Sequence, residues 1–117
     1  NLVQLELHDN SLSGEIPTSL FQNLTSLQQL NIGDNKLEGT LSTQIGQLTL
    51  LRGLHLYENN LKGSLPTEIR NLSAVLTHFR IYGNEFVGTL STEFGELTGL
   101  VDLDFSNNRF TVSTSSL

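Results

Sequence analysis

Few residues of this 117-residue chain could take part in chemistry, and three of them together suggest a reaction. His78, Asp102 and Ser106 are the residue types of a nucleophile triad, in which histidine takes the proton of an attacking serine and a carboxylate orients the histidine. The chain has no cysteine, which excludes disulfides and thiolate zinc sites. It also has no phosphate-binding glycine loop and no HExxH motif. The triad is therefore the one catalytic arrangement that these residue types suggest.

Asparagine recurs along the chain with steps of 25, 24, 25 and 24 residues. Each of these ladder asparagines follows three apolar residues at fixed offsets, and another apolar residue comes two positions after it. A glycine follows four positions after the first four of them. The shared pattern, LxxLxLxxNxLxGx(I/L), predicts a repeat architecture. The ladder asparagines are Asn10, Asn35, Asn59, Asn84 and Asn108.

This pattern resembles the leucine-rich repeat family, and its continuation LxGx(I/L)P in residues 12–17 and 61–66 resembles the plant-type subclass. The resemblance covers residues 1–111, about four and a half repeats that start at residues 2, 27, 51, 76 and 100. Residues 112–117 form a Ser/Thr-rich tail.

The sequence departs from the family pattern at three positions and in its lack of cysteine. Ser42 and Ser91 stand where proline is usual, and Val112 replaces the fifth glycine. The paired cysteines common in the end caps of the plant-type subclass are missing. We therefore expect an interior stretch or a variant without caps. We also expect the fifth coil to lose its regular path at Val112, since glycine permits backbone conformations that a side chain blocks.

The LxL segment of each repeat predicts a short strand with alternate side chains pointing inward, and stacked coils pair these strands in parallel about 4.8 Å apart. We therefore predict an α/β-type solenoid: a short right-handed leucine-rich repeat superhelix with a parallel β-sheet on the concave face and an irregular or 3-10 convex side. The ladder asparagines should be buried and bonded to backbone groups that the bend leaves unpaired. Five phenylalanines at inward positions are predicted to be core: Phe79, Phe86, Phe94, Phe105 and Phe110.

The outward strand positions form three columns across the sheet, and all histidines and tyrosines of the chain lie in these columns. Five residues on adjacent coils, within about 10 Å, form what we call the concave patch. Tyrosine and arginine often anchor interfaces, so we predict that the patch is the main partner surface. The alternative is that tyrosine and histidine simply suit exposed strands. Because histidine protonates near pH 6, binding of an acidic partner is expected to strengthen as the pH falls. The patch residues are His55, Tyr57, His78, Arg80 and Tyr82.

A fourth column, at the strand exits, is rich in carboxylates. Oxygen-rich clusters suit calcium, but such a row is more often a solvated acidic edge, and we expect no metal or other cofactor. The triad residues would lie on one open sheet face, which lacks the oxyanion hole and the pocket that acyl transfer requires. We therefore expect no enzymatic activity. The exit column consists of Asp9, Asp34, Glu58, Gly83 and Asn107.

Sequons for N-glycosylation begin at Asn23 and Asn71. In a repeat of this kind, NLT or NLS is also plain consensus, with the leucine buried and the polar residues exposed. Modification at both asparagines is therefore expected if the protein is secreted.

Six basic and twelve acidic residues give a net charge of −6, which argues against nucleic acid as a partner. No apolar run approaches the roughly 18 residues of a membrane span, so this segment should not insert into a bilayer. The family resemblance implies a non-catalytic recognition module, extracellular or secreted, whether or not the parent protein is membrane-anchored. Its partner would be a protein, a peptide or a glycan.

A structural or surface-binding role, at a cell wall or at ice, is the alternative function. Long rows of identical threonines would favour it, but Thr40 and Thr89 recur only in alternate coils. The end coils should each expose an unpaired strand edge and a leucine layer, so we also expect end-to-end self-association or fraying.

Overall fold

The computed structural model describes residues 1–112 and shows a stack of coils with a parallel five-stranded sheet along the concave face. Neighbouring strands pair in the register that the repeat predicts, with the central apolar residue of each strand beside that of the next. The sheet order is β1-β3-β5-β7-β9, for which the bounds are Gln4–Glu6, Gln29–Asn31, Gly53–His55, His78–Arg80 and Asp102–Asp104.

A second parallel sheet of five strands follows the turns, and the sequence analysis did not predict it. In coils two to five, the strand contains the apolar residue that comes two positions after the ladder asparagine, and in the first coil the strand begins directly after that residue. In the middle coils this apolar residue is buried. The glycines inside these strands have positive φ, for example 86° at Gly39, which is why the segment resembles a turn in the sequence. The order is β10-β8-β6-β4-β2, with bounds Arg109–Thr111, Glu85–Thr89, Asn60–Ser64, Lys36–Thr40 and Ser13–Glu15.

Short helices form the convex side. Pro17 and Pro66 stand directly before two of them, with φ near −67° and −66°, which suits a helix start. Ser42 replaces proline in the second coil, and its Oγ accepts a hydrogen bond of 3.0 Å from the backbone N–H of Gln44, so serine caps the helix instead. The helices are α1 Thr18–Asn23, α2 Leu90–Phe94 and the 3-10 helices Thr43–Gln47 and Thr67–Leu72.

Leucine and isoleucine layers fill the space between the two sheets and the helices. The predicted phenylalanine core is confirmed at Phe79 and Phe86, which are fully buried. Phe94, Phe105 and Phe110 are half-buried and pack on one another, with ring centroids 5.2 to 6.1 Å apart. They remain partly exposed because, in the described part of the chain, no further coil covers their outer side.

The ladder asparagines are bonded to the backbone, as predicted. The Nδ2 of Asn59 donates to the carbonyls of Ile32, Leu56 and Tyr57 at 3.1 to 3.2 Å, and its Oδ1 accepts from the N–H of Leu37 at 3.0 Å. Two of these partners lie in the preceding coil, so each amide ties one coil to the next. Asn35, Asn84 and Asn108 repeat the arrangement, and of these Asn35 and Asn84 are buried. The prediction of burial is wrong for Asn10, which is exposed because no coil precedes it among the described residues, and which bonds only within its own coil.

The outermost coils carry exposed apolar side chains. Leu2, Val3, Leu7 and Leu12 are exposed on the first coil. β10 ends at Thr111, and the rest of the predicted tail, residues 113–117, lies outside the described residues. Within residues 1–112, no helix has the length and apolar character needed to cross a membrane. End-to-end self-association remains a prediction.

Candidate partner-binding face

The strand register confirms two of the three outward columns that the sequence predicts. Gly53 lies beside His78, and His55 lies beside Arg80. The third column continues beyond the strands, because the N–H of Glu58 donates to the carbonyl of Tyr82 at 2.8 Å. The five residues of the concave patch therefore lie on two adjacent coils, as the sequence predicts.

Tyr57 and Tyr82 form an aromatic stack, with ring centroids 5.1 Å apart and planes within 7° of parallel. The ring of His55 meets Tyr57 edge-on at 6.4 Å. The other face of Tyr57 rests on Gly33, where a Cβ would lie only 2.3 Å from the Cζ of the tyrosine. The aromatic rings are thus held in position by a glycine whose role the sequence analysis missed. The available signal was a glycine beside a tyrosine in the same outward column.

Arg80 is engaged within the protein. Its Nε donates to the Oδ2 of Asp102 at 3.1 Å, and its Nη2 donates to the same oxygen. This bonding lowers the pKa of Asp102. The Nδ1 of His78 instead contacts the Oγ1 of Thr77 at 2.9 Å.

The triad considered from the sequence is not assembled. Asp102 bonds to Arg80 rather than to His78. The Oγ of Ser106 donates to the Oδ1 of Asp104 at 2.7 Å. None of the three triad residues is therefore positioned by another of them as acyl transfer requires.

The pKa of His55 is lowered from its ordinary value of 6.5, mainly by burial and next by the positive charge of Arg80. A lowered pKa means that the imidazole is neutral at neutral pH and gains its proton only at lower pH than the sequence analysis assumed. Burial also raises the pKa of Tyr82, so both rings present neutral surfaces.

The residue types found in the exit column are explained by its backbone conformation. Every residue in it adopts positive φ, from 50° to 72°. Glycine, asparagine and aspartate tolerate this left-handed conformation best, so Glu58 is the unusual occupant. The pKa of Asp34 is raised, most by a side-chain hydrogen bond with Asp9, next by burial, and then by the negative charges of Asp9 and Glu58. Within the described residues, no group of three histidines or carboxylates is arranged to hold a metal ion.

Both sequon asparagines are exposed and lie at the convex helices. Asn23 is the last residue of α1. Asn71 lies in the second 3-10 helix, and its side chain packs against Gly46 of the preceding coil. A Cβ added to Gly46 would lie 2.8 Å from the Nδ2 of Asn71.

Comparison with known proteins identifies the family. The Leucine Rich Repeat model matches residues 1–23, 26–48 and 50–72, which together exceed half of the chain. The chain therefore belongs to the leucine-rich repeat family.

Three similar proteins are from plants. An LRR receptor-like serine/threonine-protein kinase of Arabidopsis thaliana, GSO2, is 42% identical over 52 residues, covering 44% of this chain and 4% of the kinase. The plant peptide hormone receptor RGFR1, solved in complex with RGF2, has a TM-score of 0.86 and 32% identity over 93% of this chain and 17% of the receptor chain. A plant ice-binding protein has a TM-score of 0.76 and 34% identity over 86% of this chain and 31% of its own. The chain thus spans a small part of each of these proteins.

Proposed function

We propose that this chain is a non-catalytic recognition module that binds a protein or peptide partner through its concave face. The observation that carries the proposal is the stack of Tyr57 and Tyr82 on Gly33, an aromatic surface held in place by the protein itself. Side chains that are already ordered lose little conformational entropy on binding, and tyrosine is enriched among residues that dominate interface energies. The similarity in fold to a receptor solved with a peptide hormone supports a peptide partner.

The same proposal includes an extracellular location with N-glycans on Asn23 and Asn71. Both asparagines are exposed at the convex helices, on the opposite side of the coil from the concave columns. Glycans at these positions would leave the concave face open to a partner. The similarity to a receptor-like kinase supports this location.

A selection experiment tests the proposal. A displayed library of random peptides is selected on the immobilised protein, with a glycan array screened in parallel for the alternative partner class. Amide hydrogen exchange is then measured with and without the selected ligand. We expect protection to concentrate in β5, β7 and the residues that follow them up to Tyr57 and Tyr82. Protection confined to the second sheet or to the convex helices would contradict the proposal.

A surface-binding role is the second candidate, and the similarity to a plant ice-binding protein favours it. On this chain, however, charged side chains on the second sheet interrupt the threonine and serine positions that such a surface would use. Ice binding is tested by thermal hysteresis of a concentrated solution. We expect none, and a measurable freezing-point gap would favour this candidate. The interrupting residues are Lys36, Glu38, Lys62 and Glu85.

A further inference from the structure

The one arginine of the concave patch is paired within the protein. The guanidinium of Arg80 is bonded to the carboxylate of Asp102, so its charge is balanced within the protein. Burial and the nearby Arg80 lower the pKa of His55, which is therefore neutral at neutral pH. An acidic partner would find neither group available.

The outward columns and the exit column are instead strongly acidic. They contain six carboxylates and one guanidinium, a balance of −5 with the histidines neutral, whereas the whole chain has −6. Most of the net charge of the chain therefore lies on the concave face that carries the tyrosine stack and along the adjoining exit column. The charged residues are Glu6, Asp9, Asp34, Glu58, Asp102, Asp104 and Arg80.

Glu58 brings one of these carboxylates to the tyrosine stack. Its φ of 50° is unfavourable for glutamate, and strain of this kind persists where the surroundings fix it. Its carboxyl carbon would lie 2.7 Å from a Cβ on Gly83, so the side chain rests on the coil that carries Tyr82. The left-handed turn and the glycine together place a negative charge next to the aromatic rings.

The stack ends at Tyr82: within residues 1–112 no aromatic ring lies on its second face, which we call the open face. Tyr57 is covered by Gly33 on one side and by Tyr82 on the other. The second face of Tyr82 is directed toward the fifth coil, where its neighbour in the column is the small side chain of Ser106. That serine donates a hydrogen bond to Asp104, and the negative charge of Asp104 contributes, after burial and nearer charges, to the raised pKa of Tyr82.

We propose that the partner is a basic peptide segment, with one arginine or lysine side chain lying on the open face of Tyr82 between the carboxylates of Glu58 and Asp104. This rests on the proposed function, because it names the partner class for the same face. A guanidinium is attracted both to an aromatic face and to carboxylates. The acidic face also steers a basic segment toward the site and disfavours an acidic one.

Two end-blocked peptides, hexa-arginine and hexaglutamate, provide the probes. Both tyrosines of the chain lie in the stack and tryptophan is absent, so intrinsic fluorescence reports on this site alone. We expect hexa-arginine to bind and to change the tyrosine emission, with an affinity that falls as salt is added. Binding of hexaglutamate in preference, or binding of neither peptide, would overturn the proposal.

Matched charge variants separate a specific site from general attraction. The double variant Glu58→Gln, Asp104→Asn removes two charges at the stack, and Glu15→Gln, Glu38→Gln removes two charges from the second sheet. We expect the first to weaken hexa-arginine binding about fivefold or more, and the second to change it by less than about twofold. Equal losses in both would show that net charge alone attracts the peptide and would overturn the proposal.

The library selection distinguishes this proposal from the proposed function. If selected peptides depend on Tyr57 and Tyr82 but are not enriched in arginine or lysine, the basic partner is wrong and the concave face stands as the binding surface. If selected peptides do not depend on the tyrosines, both proposals fail. Enrichment of basic residues among tyrosine-dependent peptides is the expected result.

Discussion

Gly33 and the two tyrosines give the concave patch its fixed shape. Because Gly33 has no side chain, the ring of Tyr57 packs directly on the backbone of the preceding coil, and Tyr82 packs on Tyr57. Offset or parallel aromatic pairs of this kind contribute about 0.5 to 1.5 kcal/mol beyond the area they bury. The stack is therefore part of the folded protein before any partner arrives.

Residue types and spacing predicted which side chains share the concave face but not how they pair. Arg80 has Asp102 and Asp104 on the neighbouring strand, and only the side-chain geometry decides that it bonds to Asp102. Burial of His55, which lowers its pKa, likewise depends on how the neighbouring rings lie. The positive φ of the exit column was readable from Asp9 and Asp34, whereas Glu58 gives no such signal.

At the scale of the elements, the ladder asparagines join neighbouring coils. Each buried amide accepts a backbone hydrogen bond from the preceding coil and donates to a carbonyl there. The bend after each concave strand would otherwise leave these backbone groups unpaired in the interior. The repeat spacing predicted this role because an amide is the side chain that supplies both donors and an acceptor.

Substitution of Asn59 by alanine is expected to destabilise the protein by about 1 to 3 kcal/mol, because it leaves the N–H of Leu37 and the carbonyl of Ile32 buried without partners. Chemical denaturation measures the change. Asn60→Ala is the matched control, since Asn60 is exposed in β6 and should change stability by less than about 0.5 kcal/mol. Equal effects of the two substitutions would contradict the structural role of the ladder.

The second sheet shows where sequence reasoning fell short at this scale. Glycine at positive φ and short polar residues are typical of turns, so the segments that became β2, β4, β6, β8 and β10 resembled connections. Parallel pairing in this region requires equivalent segments of successive coils to align. Only the stacked coils, not a single repeat, reveal that alignment.

At the scale of the whole molecule, the stack separates two surfaces with different chemistry. The concave face carries the tyrosine stack and, together with the exit column, most of the net negative charge, whereas the second sheet mixes lysine, glutamate, threonine and serine. The inward residues of the middle coils pack in the core, so the fold does not depend on the residue types of the two outer surfaces. We propose that the concave face, rather than the second sheet, recognises the partner.

The most direct test of that claim pairs two measurements on the double variant Tyr57→Ala, Tyr82→Ala. Thermal unfolding should show a loss of only about 1 kcal/mol, since the rings are half-buried on the surface. Titration with the selected peptide should show a loss of about 2 kcal/mol or more, roughly thirtyfold in affinity, if the rings anchor the partner. Lys36→Ala, Lys62→Ala on the second sheet is the control and should change neither quantity appreciably. An unchanged affinity in the tyrosine variant would contradict the account and leave the concave columns as solvated strand surface.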